Sequence, residues 1–215
     1  MKFEHTDVWG LDHALRGMRN PKNSWEKSDS TATAIGPSDL RLAKALISGG
    51  SEHRKFLRQI VVAVDITAPF YWWKEFDTYK VGTTANSCST MHKILSEPIT
   101  RESFEMGDYE DLWVDGKSKI STFVDGLIDR LEQLRTLAIA YDKIDNKKEA
   151  KKYWKELIRW LPEGWLQKRT VTLNYENIYS IVNQRRGHKL TEWARFIEWA
   201  ENLPWYRDFF DADAE

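Results

Sequence analysis

Two adjacent amphipathic segments in the middle of the sequence place the strongest constraint on the fold. From Ser118 to Ile144 and from Lys147 to Leu161, apolar residues recur at the three- and four-residue spacing of a helix with one buried face. The second segment ends before Pro162, which cannot continue a helix. On the first helix, the predicted apolar face consists of Phe123, Leu127, Leu131, Leu134 and Leu137. Long helices are therefore expected to dominate the fold.

Shorter patterns predict further helices and at least two strands. The β-branched segment Phe56–Thr67 predicts a buried strand that ends at Ala68-Pro69, and Lys168–Leu173 predicts a second strand. Two segments rich in Gly, Ser, Thr and Asn, residues 1–37 and Val81–Ser89, are predicted to be loops. Capped or amphipathic patterns predict helices at Ser38–Gly49, Phe70–Lys80, Tyr175–Arg186 and Lys189–Leu203. The expected fold class is α+β.

Length, charge and cysteine content exclude several classes of protein. The 215 residues suggest one domain, 1–215, in which residues 38–205 form the core and a loop-rich N-terminal segment, 1–37, is expected to cover the site. Because 32 basic and 33 acidic side chains give a net charge of −1, binding to a nucleic-acid backbone is not expected. The single cysteine, Cys88, excludes an internal disulfide framework and a multi-cysteine zinc site. No signal peptide or membrane-spanning run is visible, so a cytoplasmic protein without membrane partners is expected.

The common catalytic motifs do not occur in this sequence. Neither GxxxxGK[ST] nor GxGxxG is present, which argues against a P-loop or a Rossmann dinucleotide site. HExxH and GxSxG are also missing. The histidines are not spaced as a metal-binding pair, and no metal is expected; they are His5, His13, His53, His92 and His188.

Two polar clusters are left as candidate sites. Thr83–Thr90 places hydroxyls and an amide beside Lys80 and His92, a composition that suits a phosphate or a nucleotide base. The alternative is a surface loop that caps a helix near Thr90. Asn183–His188 lies at a predicted helix end, where its cations would also complement the helix dipole without any ligand.

In chain order, these clusters belong to a longer pattern. Leu161-Pro162 is followed without a gap by the predicted strand, Asn174, a helix and Arg185. Earlier, Ala68-Pro69 precedes an aromatic helix and a loop with the spacing Asn-x-x-Ser at Asn86 and Ser89. A weaker match is Ser51-Glu52-His53, just before the first predicted strand. Together, over about residues 38–205, these stretches resemble the flavin-dependent thymidylate synthases.

The sequence keeps only part of that family's signature, RHRxxSxNExSxRY. The initial Arg-His-Arg falls on Tyr79-Lys80-Val81, or on Thr78-Tyr79-Lys80, so one cation remains. The family's Glu becomes Ser87, its Arg-Tyr pair becomes Met91-His92, and after Asn174 an Arg becomes Glu176 and an Asn becomes Ser180. The retained positions are Thr84, Asn86, Ser89, Asn174 and Arg185.

The resemblance implies a fold, a reaction and a set of ligands. The implied fold is an antiparallel-rich sheet with long flanking helices. The implied reaction transfers a one-carbon unit from methylenetetrahydrofolate to C5 of dUMP, giving dTMP, with a hydride from NADPH passing through FAD. The family assembles as a homotetramer with sites shared between subunits. The implied partners are therefore a pyrimidine nucleotide and further copies of the chain.

The resemblance also implies roles for individual residues. Arg185 matches the catalytic arginine, whose guanidinium would stabilise charge on the pyrimidine ring. The predicted nucleotide-binding residues are Ser89, Thr84, Lys80 and Glu75, together with Arg16 and Arg19, which lie outside the resemblance and are alternatively solvated loop arginines. The implied cofactor-binding residues are Asn86, Asn174, His53 and Lys80. Arg16 and Arg19 are included because a nucleotide monophosphate needs cations, and the signature here has lost most of its own.

Two other functions and one other catalytic residue stay open. The chain could be a homologue that binds a nucleotide or flavin without turnover, or a tryptophan-rich interaction module, since it contains 11 tryptophans. Cys88 is either an inert thiol or a nucleophile activated by Lys80 or His92.

Overall fold

Four strands form one antiparallel sheet in the computed structural model, which describes residues 1–31 and 33–211. The strands are β1 (Lys2–Trp9), β2 (Val61–Pro69), β3 (Thr84–Ser87) and β4 (Leu166–Asn174). Their order in the sheet is β1-β2-β4-β3. Both strands predicted from the sequence are therefore present, as β2 and β4, and they are neighbours in the sheet.

Nine α-helices lie in the described part of the chain, and they account for every helix that the sequence predicts. They are α1 (Leu11–Arg19), α2 (Pro37–Ser48), α3 (Phe70–Phe76), α4 (Thr90–Lys93), α5 (Ile120–Lys143), α6 (Lys147–Arg159), α7 (Tyr175–Arg185), α8 (Thr191–Glu201) and α9 (Tyr206–Phe210). No helix among the described residues combines the length and the hydropathy needed to cross a membrane. The α+β class and the antiparallel sheet with long helices are confirmed.

The prediction that residues 1–37 are mostly loop is wrong. Strand β1 is largely exposed, but Phe3 stacks on Trp199 with ring centroids 5.0 Å apart. Helix α1 buries Ala14, Leu15 and Met18. Gly17 weakens the helical pattern in the sequence, yet a Cβ there would lie only 2.4 Å from Gln59 Oε1. The side chain of Gln59 therefore packs closely against the helix at this glycine.

Two other segments differ from the prediction. The strand predicted from Phe56 begins only at Val61, because Arg54–Gln59 forms a 3₁₀ helix. Val81–Ser89, predicted as loop, contains β3, whose four residues are all exposed. Such a strand is formed by backbone pairing, and it carries no apolar alternation from which it could be predicted.

The chain divides into two compact units, which we describe separately. Unit 1 consists of Met1, Thr67–Glu75 and Ser87–Arg169, and unit 2 of Lys2–Ile66, Phe76–Asn86 and Thr170–Glu215. The core of unit 1 lies where α5 and α6 pack together, around Ile94, Ile99, Phe104, Ile128, Leu131 and Leu157. Phe123, predicted on the buried face of α5, is 66% exposed. The single-domain assignment stays a prediction.

The core of unit 2 is aromatic. Trp193 and Phe196 of α8 are fully buried, and their rings meet edge to face at 5.7 Å. Tyr175, at the start of α7, is also fully buried, and burial raises its pKa. This core supports the helix that carries Arg185.

Candidate functional site

Arg185, the last residue of α7, lies between two aromatic rings of unit 2. Its guanidinium carbon is 4.5 Å from the ring centroid of Trp193 and 5.4 Å from that of Tyr79. Its Nε donates a hydrogen bond of 2.8 Å to the Tyr79 phenol oxygen. Its Nη1 lies 3.1 Å from Nε2 of His188. The guanidinium is half-buried and fixed in orientation on several sides.

Tyr79 also lines a cleft of about 270 Å³ in unit 2, which we call the Tyr79 cleft. The hydroxyl of Thr83 donates to the backbone carbonyl of Tyr79 and closes the turn that forms its wall. The cleft is lined by Phe76, Asp77, Tyr79, Lys80, Thr83 and Ala85. The cleft offers a cation at the exposed Lys80, a carboxylate at Asp77 and an aromatic wall, and the cation and the ring together suit an anionic planar ligand.

The start of α7 fixes the loop between Tyr79 and β3. Asn174 accepts a hydrogen bond from the N–H of Asn177 at 3.0 Å, and Asn177 accepts one from the N–H of Asn174 at 3.2 Å, which together form a capping box. The Asn177 amide also donates to the carbonyl of Val81 at 2.8 Å. Asn174, predicted to contact the cofactor, therefore uses its side-chain oxygen as a helix cap, and its cofactor role stays a prediction.

Thr84 and Asn86, two more predicted site residues, lie on β3. Because side chains alternate along a strand, they share the face opposite to that of Ala85, which lines the Tyr79 cleft. Both are exposed. The nucleotide-binding role of Thr84 and the cofactor-binding role of Asn86 stay predictions.

Arg19 and Arg16, predicted as compensating cations, have partners within unit 2. Arg19 is 4% exposed, and its Nε lies 2.6 Å from the Asp39 carboxylate. Burial raises the pKa of Asp39, but hydrogen bonds from Ser30, Ser28 and Arg19 outweigh it and hold that pKa below its usual value. Arg19 thus stabilises the N-terminal segment, and we assign it no ligand.

Arg16 differs from Arg19 because it is exposed. Its guanidinium lies 5.0 Å from the ring centroid of Trp25, and it lines a cleft of about 150 Å³ together with Asp12 and Ser28. Stacking on an aromatic ring leaves the guanidinium edge able to donate to a ligand.

His53, predicted to bind the cofactor, lines a cleft of about 490 Å³, which we call the His53 cleft. Its walls include the apolar side chains of Met18, Leu46 and Phe56, and Lys55 adds a cation. The arrangement suits a flat apolar ring with an anionic group near its edge.

Ser89, Glu75 and Cys88 belong to unit 1. The Ser89 hydroxyl caps the four-residue helix α4 by accepting from the N–H of His92 at 3.3 Å. Glu75 is half-buried on α3, and Cys88 is exposed. None of these observations assigns a ligand contact, so the nucleotide roles of Ser89 and Glu75 stay predictions.

A polar cluster around Arg169 in unit 1 was not predicted from the sequence. Arg169 of β4 lies 4.2 Å from the ring centroid of Trp73, and its Nε donates to Gln167 Oε1 at 2.9 Å. The Gln167 amide donates to the Cys88 carbonyl at 3.1 Å and to Thr90 Oγ1 at 3.3 Å. Tyr79 and Trp193 were missed as well, although Tyr79 stands in register with the family signature.

The fold is similar to that of two solved flavin-dependent thymidylate synthases. Thymidylate synthase X (ThyX) from Helicobacter pylori, solved with FAD and dUMP, matches 98% of both chains with a TM-score of 0.66 and 18% identity. A second Helicobacter pylori structure, of flavin-dependent thymidylate synthase ThyX complexed with FAD and dUMP, has the same TM-score and coverage at 17% identity. No protein-family profile and no curated protein matches the sequence.

Proposed function

We propose that this chain is a divergent flavin-dependent thymidylate synthase-like enzyme. It transfers a one-carbon unit to C5 of a pyrimidine deoxynucleotide, converting dUMP to dTMP or a variant of that pair, in the cytoplasm. The observation that carries the proposal is the fixed guanidinium of Arg185, held by Tyr79 beside a cleft that also presents Lys80. The fold shared with two proteins solved with dUMP supports the choice of ligand.

Arg185 and Lys80 bind different parts of the nucleotide. A guanidinium stays protonated at any physiological pH, so Arg185 stabilises negative charge that develops on a pyrimidine carbonyl as the ring is activated. The Lys80 ammonium, exposed at the Tyr79 cleft, attracts the phosphate. A ring fixed between such groups is oriented before reaction, which lowers the entropic cost of catalysis.

FAD fits the chemistry of the His53 cleft. Met18, Leu46 and Phe56 offer apolar walls to a flat ring, and Lys55 offers a cation to a phosphate. When bound, the flavin would pass on the hydride that NADPH supplies, while methylenetetrahydrofolate would supply the carbon. The residues of this chain are assigned only the tasks of binding and orienting these molecules.

A second candidate function is a homologue that binds the nucleotide or flavin without turnover. The observation that favours it is the charge reversal at Glu176, where the family carries an arginine. Glu176 forms ion pairs with Arg54 at 3.2 Å and with Arg58, and these pairs occupy two cations of unit 2.

The test is an absorbance spectrum of the purified protein with and without FAD, followed by dUMP titration and an assay for dTMP. A bound flavin spectrum, dUMP binding and dTMP formation support the enzyme. Flavin and dUMP binding without product support the inactive homologue. If the protein binds neither FAD nor dUMP, both proposed functions are contradicted. The tryptophan-rich interaction module is then the remaining candidate function.

A further inference from the structure

Tyr79 contacts Arg185 through both its hydroxyl group and its ring, and no pattern in the sequence predicts this pair. Its phenol oxygen accepts from Arg185 Nε at 2.8 Å and donates to Gln184 Oε1 at 3.2 Å, so both hydrogen-bonding roles of the hydroxyl are used on α7. Its ring lies against the guanidinium, and it meets the Trp193 ring edge to face at 6.2 Å.

These contacts restrict the rotation of Arg185. The bond from Nε to Tyr79 fixes the plane of the guanidinium, because Nε lies in that plane together with the two terminal nitrogens. The rings of Trp193 and Tyr79 restrict its displacement. An arginine that is ordered before a ligand binds loses less conformational entropy on binding.

We propose that Tyr79 is a positioning residue that orients Arg185 for the nucleotide. The proposal rests on the function proposed above, since it takes Arg185 as the group that contacts the pyrimidine. Tyr79 falls within the positions that match the family's initial Arg-His-Arg in either register, so this chain has a tyrosine that contacts Arg185 where the family has a basic residue. The same residue forms a wall of the Tyr79 cleft, and therefore the position of Arg185 and the shape of the cleft change together.

The experiment measures the orientation of Arg185 separately from ligand binding. In protein labelled with ¹⁵N-arginine, the Nε–H signal of Arg185 is assigned by its loss in Arg185→Lys. Tyr79→Phe keeps the ring and removes the acceptor, so we expect this signal to shift and its exchange with solvent to accelerate. The dUMP affinity, measured by calorimetry, is expected to fall about tenfold in Tyr79→Phe and further in Tyr79→Leu.

A matched control is Tyr141→Phe, which changes a half-buried tyrosine of α5 in unit 1. It is expected to leave the Arg185 signal and the dUMP affinity unchanged, and the melting temperature of each variant reports on its fold. An unchanged Nε–H signal in Tyr79→Phe would overturn the proposal. The same holds if Tyr79→Phe binds dUMP like the wild type while Arg185→Ala does not. If the wild type itself binds no dUMP, the proposed function fails, and the Nε–H signal still decides whether Tyr79 orients Arg185.

Discussion

The Nε–H of Arg185 donates a 2.8 Å hydrogen bond to the phenol oxygen of Tyr79 across 106 positions of the sequence. Arg185 ends α7, and Tyr79 lies just before the loop that leads into β3. The bond therefore links the two stretches of sequence that carry the family resemblance. It also places the catalytic candidate beside a cleft rather than on a solvated helix end.

The first prediction concerns Arg185 itself. Arg185→Ala is expected to weaken dUMP binding by about 2 kcal/mol or more, because a hydrogen bond to a charged group contributes about 1.5–3 kcal/mol. As a cation at a helix end, the residue would contribute only about 0.3–1 kcal/mol to stability. Calorimetric titration and thermal melting separate the two effects. The matched control is Arg186→Ala, since Arg186 is exposed and pairs with Glu201 at 2.8 Å. Equal dUMP affinity in Arg185→Ala and the wild type would show that Arg185 has only a structural role.

The second prediction concerns the pH dependence of stability at Asp39. Its carboxylate is buried, and its pKa in the folded protein is lower than in the unfolded chain, where it is about 3.9. Its stabilising contribution is therefore complete above about pH 4 and is lost as the pH falls through the folded value. Asp39→Asn leaves Arg19 buried without its counter-ion, which is expected to cost about 3–5 kcal/mol at neutral pH.

Urea unfolding between pH 2.5 and 7 measures this contribution. The stability of Asp39→Asn should change less over the acid part of this range than that of the wild type. Asp129→Asn, at an exposed position of α5, should keep the wild-type pH dependence. Parallel pH profiles for the wild type and Asp39→Asn would contradict the prediction.

The third prediction concerns Arg16, which, unlike the buried Arg19, is exposed and could contact a phosphate. Arg16 is exposed on Trp25, so Arg16→Ala is expected to leave the melting temperature unchanged. If Arg16 contacts the phosphate, dUMP affinity falls about fivefold and becomes less dependent on salt, because charge pairing in an open site is screened. A point substitution is the appropriate test here, because a deletion of residues 1–30 would also remove β1 and α1. Affinity and salt dependence identical to the wild type would confine Arg16 to its contact with Trp25.

Local patterns predicted the elements that bury a regular apolar face. The segment from β4 through α7 was predicted to within two residues at each end, because Leu173 is buried on the strand, Asn174 caps the helix, and Ile178 continues the buried face. The candidate site depends on contacts between residues far apart in the sequence, which local patterns do not predict. Tyr79 and Arg185 meet only in the folded chain, and Tyr79 falls within a signature in which the family has a cation, so its role could not be predicted from residue type.

Strand β1 shows why the N-terminal segment was predicted wrongly. Its residues are mostly exposed, and it is held by pairing with β2 and by the stacking of Phe3 on Trp199. Neither interaction leaves a periodic pattern in the sequence. Tertiary contacts of this kind override local propensity, which is a weak guide for strands.

The fourth prediction concerns assembly. Unit 1 exposes Leu112, Trp113 and Val114, each by more than 60% of its surface, in three consecutive positions. Contiguous exposed apolar residues are typical of interaction sites, and the family resemblance leads us to expect a homotetramer. Light scattering after size exclusion should give four times the chain mass for the wild type and a smaller species for Trp113→Asp. Trp160→Asp, at an isolated tryptophan that is 64% exposed, is the matched control. A monomeric wild type would contradict the expected tetramer.

The last prediction concerns Gly82, which lies in the loop that joins Tyr79 to β3. Its φ is +75°, in the left-handed region where a side chain costs about 1–2 kcal/mol. A Cβ at this position would also lie 2.8 Å from Asn177 Oδ1 and 3.1 Å from Asn174 Nδ2. Gly82→Ala should therefore displace the amides that fasten the loop to the start of α7.

Gly116 provides a matched control for the backbone cost alone. Its φ is +73°, and a Cβ there would meet nothing within 4 Å. Gly116→Ala is expected to lower the free energy of unfolding by about 1 kcal/mol and to leave dUMP affinity unchanged. Gly82→Ala should lose at least twice that stability and should also bind dUMP more weakly, because the loop sets the position of Tyr79 and hence of Arg185. Urea unfolding and calorimetric titration measure both quantities. Equal losses of stability in the two variants, with unchanged affinity, would show that the loop tolerates the added methyl group and does not control the site.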